Sequence, residues 1–249
     1  MRTIRHPTEL RSYLCFGLCP PFDTAGILAA DLDVFERATS VLIGKDSQQS
    51  KKTPRLLIPE DIFELFGPRV INAVSDALES AQSLWGQAHR VKAAPVDLND
   101  VLKAYQALQG REIWKHDGPF IEKYQPTFGP GVKERFAFAK TIHDKDLTEQ
   151  ESLCEQAVRH INGLLADSSV LILPTLPGAG LKLDCSSDDM NAFRSRMSAS
   201  FCLGGLAGVP WITLPLAEID GAPLGVSLVS ACGTDAWLLE LSKALVQNR

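Results

Sequence analysis

The strongest hydrophobic pattern lies towards the C-terminus, where residues 188–230 read DDMNAFRSRMSASFCLGGLAGVPWITLPLAEIDGAPLGVSLVS. Met190, Phe193, Met197 and Phe201 recur at three- and four-residue spacing, which places them on one helical face. Gly204, Gly205 and Gly208 then break the helix, and Pro210 keeps it from resuming. Residues 211–217 and 224–229 are near-continuous apolar runs, the pattern expected of strands covered on both faces. A hairpin-like turn joins them. Helix, glycine-rich turn and buried strands together predict the interior of an α/β domain.

The remaining chain alternates helical and extended patterns in the same way. Residues 31–43 predict an amphipathic helix with Val34, Phe35, Ala38, Val41 and Leu42 inward and Asp31 or Asp33 near its start. Residues 44–53 are a polar loop. A short strand at 55–58 enters Pro59 and a short helix covers 60–66. Pro68 then opens a helix carrying Val70, Ile71, Val74, Leu78 and Ala81 on one side. Residues 89–92 predict a small strand, 96–108 and 111–116 two helices, the first capped by Asp97. After a Gly129–Pro130–Gly131 turn, residues 132–142 are helical, and 146–166 form the longest helix, with Leu147, Leu153, Ala157, Ile161, Leu164 and Leu165 inward. Residues 170–173 predict a strand, 174–187 a loop able to rim a pocket, and 234–247 a closing amphipathic helix. Residues 1–21 are irregular and weakly patterned, so the organisation divides into 1–21 and 22–249. No repeat or linker interrupts the latter.

With 249 residues and 45% hydrophobic content the chain can bury one substantial core. A formal charge of −5 with no basic run argues against nucleic acid or an anionic membrane as partner. No apolar stretch approaches the roughly 18 residues of a membrane span. The apolar run at 13–18 is too short for a signal peptide and meets Pro20 and Pro21 at once. Six scattered cysteines predict reduced thiols and a cytoplasmic setting. Cys15 and Cys19 lack the further ligands that structural zinc needs, so no metal or cofactor is expected.

Several of these stretches resemble the amidase signature family, serine hydrolases that cleave carboxamide C–N bonds. The matching features are GGLAGVP, WITLPL, GAPLGVSLVS and GTDAWLLELSKAL, with Phe22–Asp23–Thr24–Ala25–Gly26 similar to the family's Phe-Asp-Thr-x-Gly element and Val170–Thr175 similar to its strand ending in Pro-Thr. The segment GPFIEKYQPTFGPGVKERF resembles the arylacetamide and indole-acetamide hydrolase branch. The resemblance runs from about Pro20 to the end. It implies an α/β fold, partial and amidase-signature-like, with a mixed β-sheet flanked by helices. It also implies that Asp23 and Thr24 support a catalytic centre from behind, and that Thr175 and Leu176 line the substrate pocket; for Asp23 and Thr24, turn and cap hydrogen bonding is an equal explanation.

The family's chemistry, as the resemblance implies, needs a lysine, a bridging serine and a nucleophilic serine ahead of the Phe-Asp-Thr element. A serine attacks an amide only when a base takes its proton, and a lysine serves only if burial keeps it neutral. Glycine-rich backbone N–H groups hold the developing oxyanion. Here residues 1–21 contain no lysine, one serine (Ser12) and one glycine (Gly17). No catalytic residue is therefore assigned. Ser227, in GVSLV, lacks the second glycine of a nucleophile elbow and reads as a small strand residue. Ser168–Ser169 and Ser186–Ser187 read as helix caps, Cys185 and Cys202 as inert thiols, and His116–Asp117 as a surface pair whose side chains do not face each other.

Three readings follow. The first is an amidase-family chain, inactive alone, whose small amide substrate is turned over only if a partner chain or further sequence completes the site. The second is a non-catalytic binding or scaffold protein, the third a hydrolase with another nucleophile. An uncovered sheet edge predicts association with a partner or a second copy.

Overall fold

Two kinds of strand pairing build the central sheet of the computed structural model, which describes residues 22–24, 26–43, 52–129 and 131–248. β1 (Arg55–Pro59) runs parallel to both β2 (His89–Val91) and β3 (Ser169–Pro174). The other side of β3 pairs antiparallel with β5 (Ala222–Val229), which pairs antiparallel with β4 (Trp211–Ile219). The order is β2-β1-β3-β5-β4, a mixed sheet flanked by helices, as the α/β reading expects. β3 is central, and all its residues are buried, which explains the unbroken VLIL run. The expectations for residues 1–21 and for most of the polar loop at 44–53 lie outside the described residues.

The β4–β5 hairpin shows how local chemistry sets register. Asp220 (φ 55°) and Gly221 (φ 74°) form the two-residue turn, both left-handed, as a type I′ hairpin requires. Counting back from it, Ile219 faces Ala222, and a bulge between Leu214 and Ala217 shifts the pairing by one residue. Pro215, exposed and without an N–H to contribute, lies within the bulge, where a ladder tolerates proline. Ile212, Leu214, Leu224, Val226 and Leu228 are buried, whereas Thr213, Pro215, Glu218, Pro223 and Gly225 are partly or fully exposed. The turn end of the hairpin thus has one covered face and one open face. The sequence pattern predicted cover on both.

Helix α9 (Asp235–Gln247) packs on β4 and β5, α3 (Pro68–Ala73) on β4, and α4 (Ser75–Trp85) on β1 and β4. Leu216, Leu245 and Ala77 line a small gap there. On the side of Trp211 lies α8 (Ser187–Ala207), packed in turn on α5 (Leu98–Tyr124) and α7 (Thr148–Leu164). The main core joins the sheet to these layers, and a smaller cluster of Ala104, Ala107, Leu108, Leu147 and Cys154 fills the space between α5 and α7.

The helices differ from the sequence expectations at positions with a physical cause. The two helices predicted at 96–108 and 111–116 are one, α5, of 27 residues. Gly110 does not break it; it lets α6 (Val132–Ile142) approach, since a Cβ there would lie 3.2 Å from Ile142 Cγ2. Likewise Gly204 and Gly205 lie inside α8, where a Gly204 Cβ would come within 2.9 Å of the Trp211 ring, and the helix ends at Gly208 in a left-handed cap. At 17 residues, α7 is shorter than both. The helix opening at Pro68 breaks at Val74, leaving Ile71 at the surface. In α1 (Leu32–Ile43) Phe35 and Thr39 face inward, while Val34 and Val41 are 49% and 81% exposed; the Leu42 side chain lies outside the described residues. Asp31 caps α1 through the Val34 N–H at 2.8 Å, and Asp97 caps α5 through the Asn99 N–H at 2.8 Å.

One carboxylate ties the connection after β2 to α2 (Glu60–Phe66): Asp61 accepts from the Ala93 N–H at 2.9 Å and the Ala94 N–H at 3.0 Å. Both alanines are buried. Asp61→Ala is expected to lower the unfolding free energy by about 2–3 kcal/mol, measured by urea denaturation, because it strands two amide donors.

Candidate functional site

The loop after β3 begins with Thr175, whose N–H donates to Gly225 O at 2.8 Å and extends the β3–β5 ladder past Pro174. Its hydroxyl lies 2.7 Å from Ser227 Oγ, which in turn lies 3.0 Å from Thr213 Oγ1. A longer contact of 3.5 Å joins Thr175 Oγ1 to Thr213 Oγ1. The hairpin register places Thr213 directly opposite Ser227, so two strand hydroxyls and that of Thr175, just past β3, meet on one face. Gly225 makes room for them: a Cβ there would lie 2.6 Å from both Thr175 Oγ1 and Thr213 Cγ2. Ser227 is fully buried and Thr213 partly exposed, so the cluster runs from the interior to the open hairpin face.

What such a cluster can do follows from its partners. Each hydroxyl offers one proton and accepts two, so mutual bonding leaves acceptor capacity for a further polar group. No described lysine, histidine or carboxylate hydrogen-bonds to any of the three. Every described lysine except Lys243 is exposed, and Lys243 pairs with Glu36. That hydrogen bond holds the Lys243 ammonium above its usual range, and the Asp100 bond does the same for Lys103. Both shifts oppose the neutral lysine that a general base requires. The hydroxyls can bind and orient; nothing described activates them.

Of the residues the sequence singled out, Thr175 is therefore in the cluster, and Leu176 is half-buried against the main core. Asp23 and Thr24 are exposed, next to Phe22, which meets Tyr105 of α5 edge-on at 5.1 Å. Thr213 and Ser227 were missed as partners of Thr175, although a signal existed. Ser227 is the one polar residue of β5 and Thr213 one of two in β4, and an Asp-Gly turn sets them opposite once the bulge is allowed for.

The other candidates resolve individually. Ser227 is on a strand and not on an elbow. Ser186 caps α8, accepting from the Asp189 N–H at 3.0 Å. Ser168 instead lies in a left-handed turn with Asp167, and Ser169 opens β3, so neither caps a helix. His116 Nδ1 does touch Asp117 Oδ1, at 2.9 Å, a half-exposed pair with no nucleophile bonded to it. Burial pushes the Cys202 thiol up to about 12 and the Cys154 thiol up to about 11, which suppresses thiolate chemistry at both. No group of three metal-ligating side chains occurs among the described residues.

These strands, helices and their order are those of the amidase fold. A crystal structure of an amidase superposes with a TM-score of 0.79 at 23% identity, covering 93% of this chain and 54% of that one. The sequence relatives include two amidases. Amidase 1 of Arabidopsis thaliana is 26% identical over 92% of this chain and 61% of its own length. Amidase 1 of Oryza sativa subsp. japonica is 25% identical over 91% of this chain and 58% of its own. The chain thus spans about 60% of the length of these two relatives. No family model matches it.

Gly225→Ala is expected to cost about 1–3 kcal/mol of stability by forcing the hydroxyls apart, and Ser227→Ala about 1–2 kcal/mol, both measured by chemical denaturation. In native protein at pH 8, iodoacetamide is expected to alkylate exposed Cys232 and to leave Cys202 and Cys154 intact until the fold is melted, as mapped by mass spectrometry.

Proposed function

We propose that this chain is an amidase signature family protein that supplies the sheet and part of the pocket of an amide hydrolase, with the catalytic lysine and serines outside these 249 residues. The observation that carries the reading is the amidase superposition, a TM-score of 0.79 across 93% of the chain. The hydroxyl cluster without a base supports the second half of it. Thr175 and Leu176 would form the pocket wall, with Thr213 and Ser227 holding the Thr175 hydroxyl in place. Asp23 and Thr24 would support the reacting atoms from behind, within one amidase-like unit spanning 22–249. A substrate of the arylacetamide type agrees with the resemblance of the segment around residues 118–136. A cytoplasmic setting agrees with the four free cysteines among the described residues.

In that reaction the amide carbonyl is attacked by a serine whose proton passes to a neutral lysine, and the carbonyl oxygen is held by backbone N–H groups. The residues described here would contribute orientation and exclusion of water. The missing partners would approach at the open hairpin face beside Thr213, Pro215 and Gly225, whether from further sequence of the same protein or from another chain. A non-catalytic binding role is the second reading. It is favoured by the half-exposed Met190, Phe193 and Met197 on α8, an apolar face without full cover.

Purified 249-residue chain is expected to give no aryl-acetamide turnover above background. Addition of a segment bearing the lysine and two serines is expected to raise turnover. Hydrolysis by the chain alone would contradict the proposal.

A further inference from the structure

We propose that the cleft between the second half of α5 and α6 is a binding site for a small aromatic carboxylate. The two helices touch closely at Gly110, where a Cβ would lie 3.3 Å from Phe138 Cε1, and a cavity of about 720 Å³ opens towards the turn that joins them. That volume is within the ~300–1,000 Å³ typical of small-molecule sites.

The walls are aromatic and held in place. Trp114 is only 7% exposed, and its indole lies against Gly118, where a Cβ would approach Nε1 to 2.9 Å. A side chain at 118 would push the ring off the helix. Ile121 continues this wall. Phe128 and Phe136, also on the lining, stack with ring centroids 4.7 Å apart and planes tilted by 33°. The turn between is fixed by Gln125 in the left-handed region (φ 46°) and by the Glu134 carboxylate, which accepts from the Gly131 N–H at 2.5 Å. A planar ring in the cleft would meet the Phe128–Phe136 pair, with Trp114 and Ile121 also on the lining.

The charge at the mouth selects the ring's substituent. Lys140 is already committed: its Nζ lies 3.0 Å from Glu122 Oε1 and 5.3 Å from the Trp114 ring centroid. Lys133, also on the lining, has no ion-pair partner among the described residues. One lysine is therefore uncompensated on a lining that carries aromatic rings, which suits a carboxylate on a ring or one carbon removed from it. A neutral ring would lack the charge partner, and a small inorganic anion would leave the aromatic walls wet. The cleft includes none of the three hydroxyls, but most of its lining lies in residues 118–136. The proposal therefore rests on the arylacetamide reading of that segment, and its failure would leave the amidase reading of the sheet standing.

The test is calorimetric titration of the 249-residue chain with 2-naphthoate, alongside the neutral isostere 2-naphthamide. Saturable 1:1 binding of the naphthoate is expected, with the naphthamide about threefold to fivefold weaker, the range an exposed charge pair supports. Lys133→Ala is expected to weaken the naphthoate by the same factor and leave the naphthamide unchanged. Lys133→Arg should retain the preference, and Lys92→Ala, an exposed change elsewhere, should alter neither. Phe136→Ala should weaken both ligands. Absence of saturable naphthoate binding, or equal binding to wild type and Lys133→Ala, would overturn the proposal.

Discussion

Everything in this molecule is arranged around a strand that has no free side. β3 is paired on both edges, parallel to β1 and antiparallel to β5, and buried along its whole length. Its backbone groups can be satisfied only by the ladders, and its side chains only by helices on both faces. That constraint fixes where the chain emerges: at Pro174, into Thr175, beside the hairpin. A polar residue at the exit of a fully buried strand must find partners at once, and it finds Ser227 and Thr213.

The cluster's existence depends in turn on two glycines that do different work. Gly221, left-handed, closes the turn that sets the register of β4 against β5. Gly225, by lacking a side chain, leaves the volume that the Thr175 hydroxyl and the Thr213 methyl occupy. The same hairpin buries one face under α9 and α4 and opens the other at its turn end. An amide hydrolase assembled on this scaffold would place its pocket on the open face, where the hydroxyls reach the surface, and would need a base that no described residue provides.

Much of the fold was legible because the hydrophobic period was decisive. The four longer strands, the β4–β5 hairpin and the α5 and α8 caps follow from alternation, apolar runs and capping residues. Errors gathered at glycines. Gly110 and Gly204 looked like breaks but are contact points, because a helix accepts glycine where another element comes close, and sequence alone does not reveal that neighbour. The inward face of α1 was also misjudged, since Thr39 is buried and Val41 is not. Of the hydroxyl cluster, the resemblance singled out Thr175, as a pocket residue. Thr213 and Ser227 required the bulge at Pro215, which shifts the parity on which a pairing argument rests.

These hydroxyls are oriented but not activated. Fluorophosphonate labelling of the folded chain, with adducts mapped by mass spectrometry, tests it directly. Ser227, Thr175 and Thr213 are predicted to remain unmodified at a concentration that fully labels an active serine hydrolase. A stoichiometric adduct on any of the three would contradict it and would mean that a base reaches the cluster.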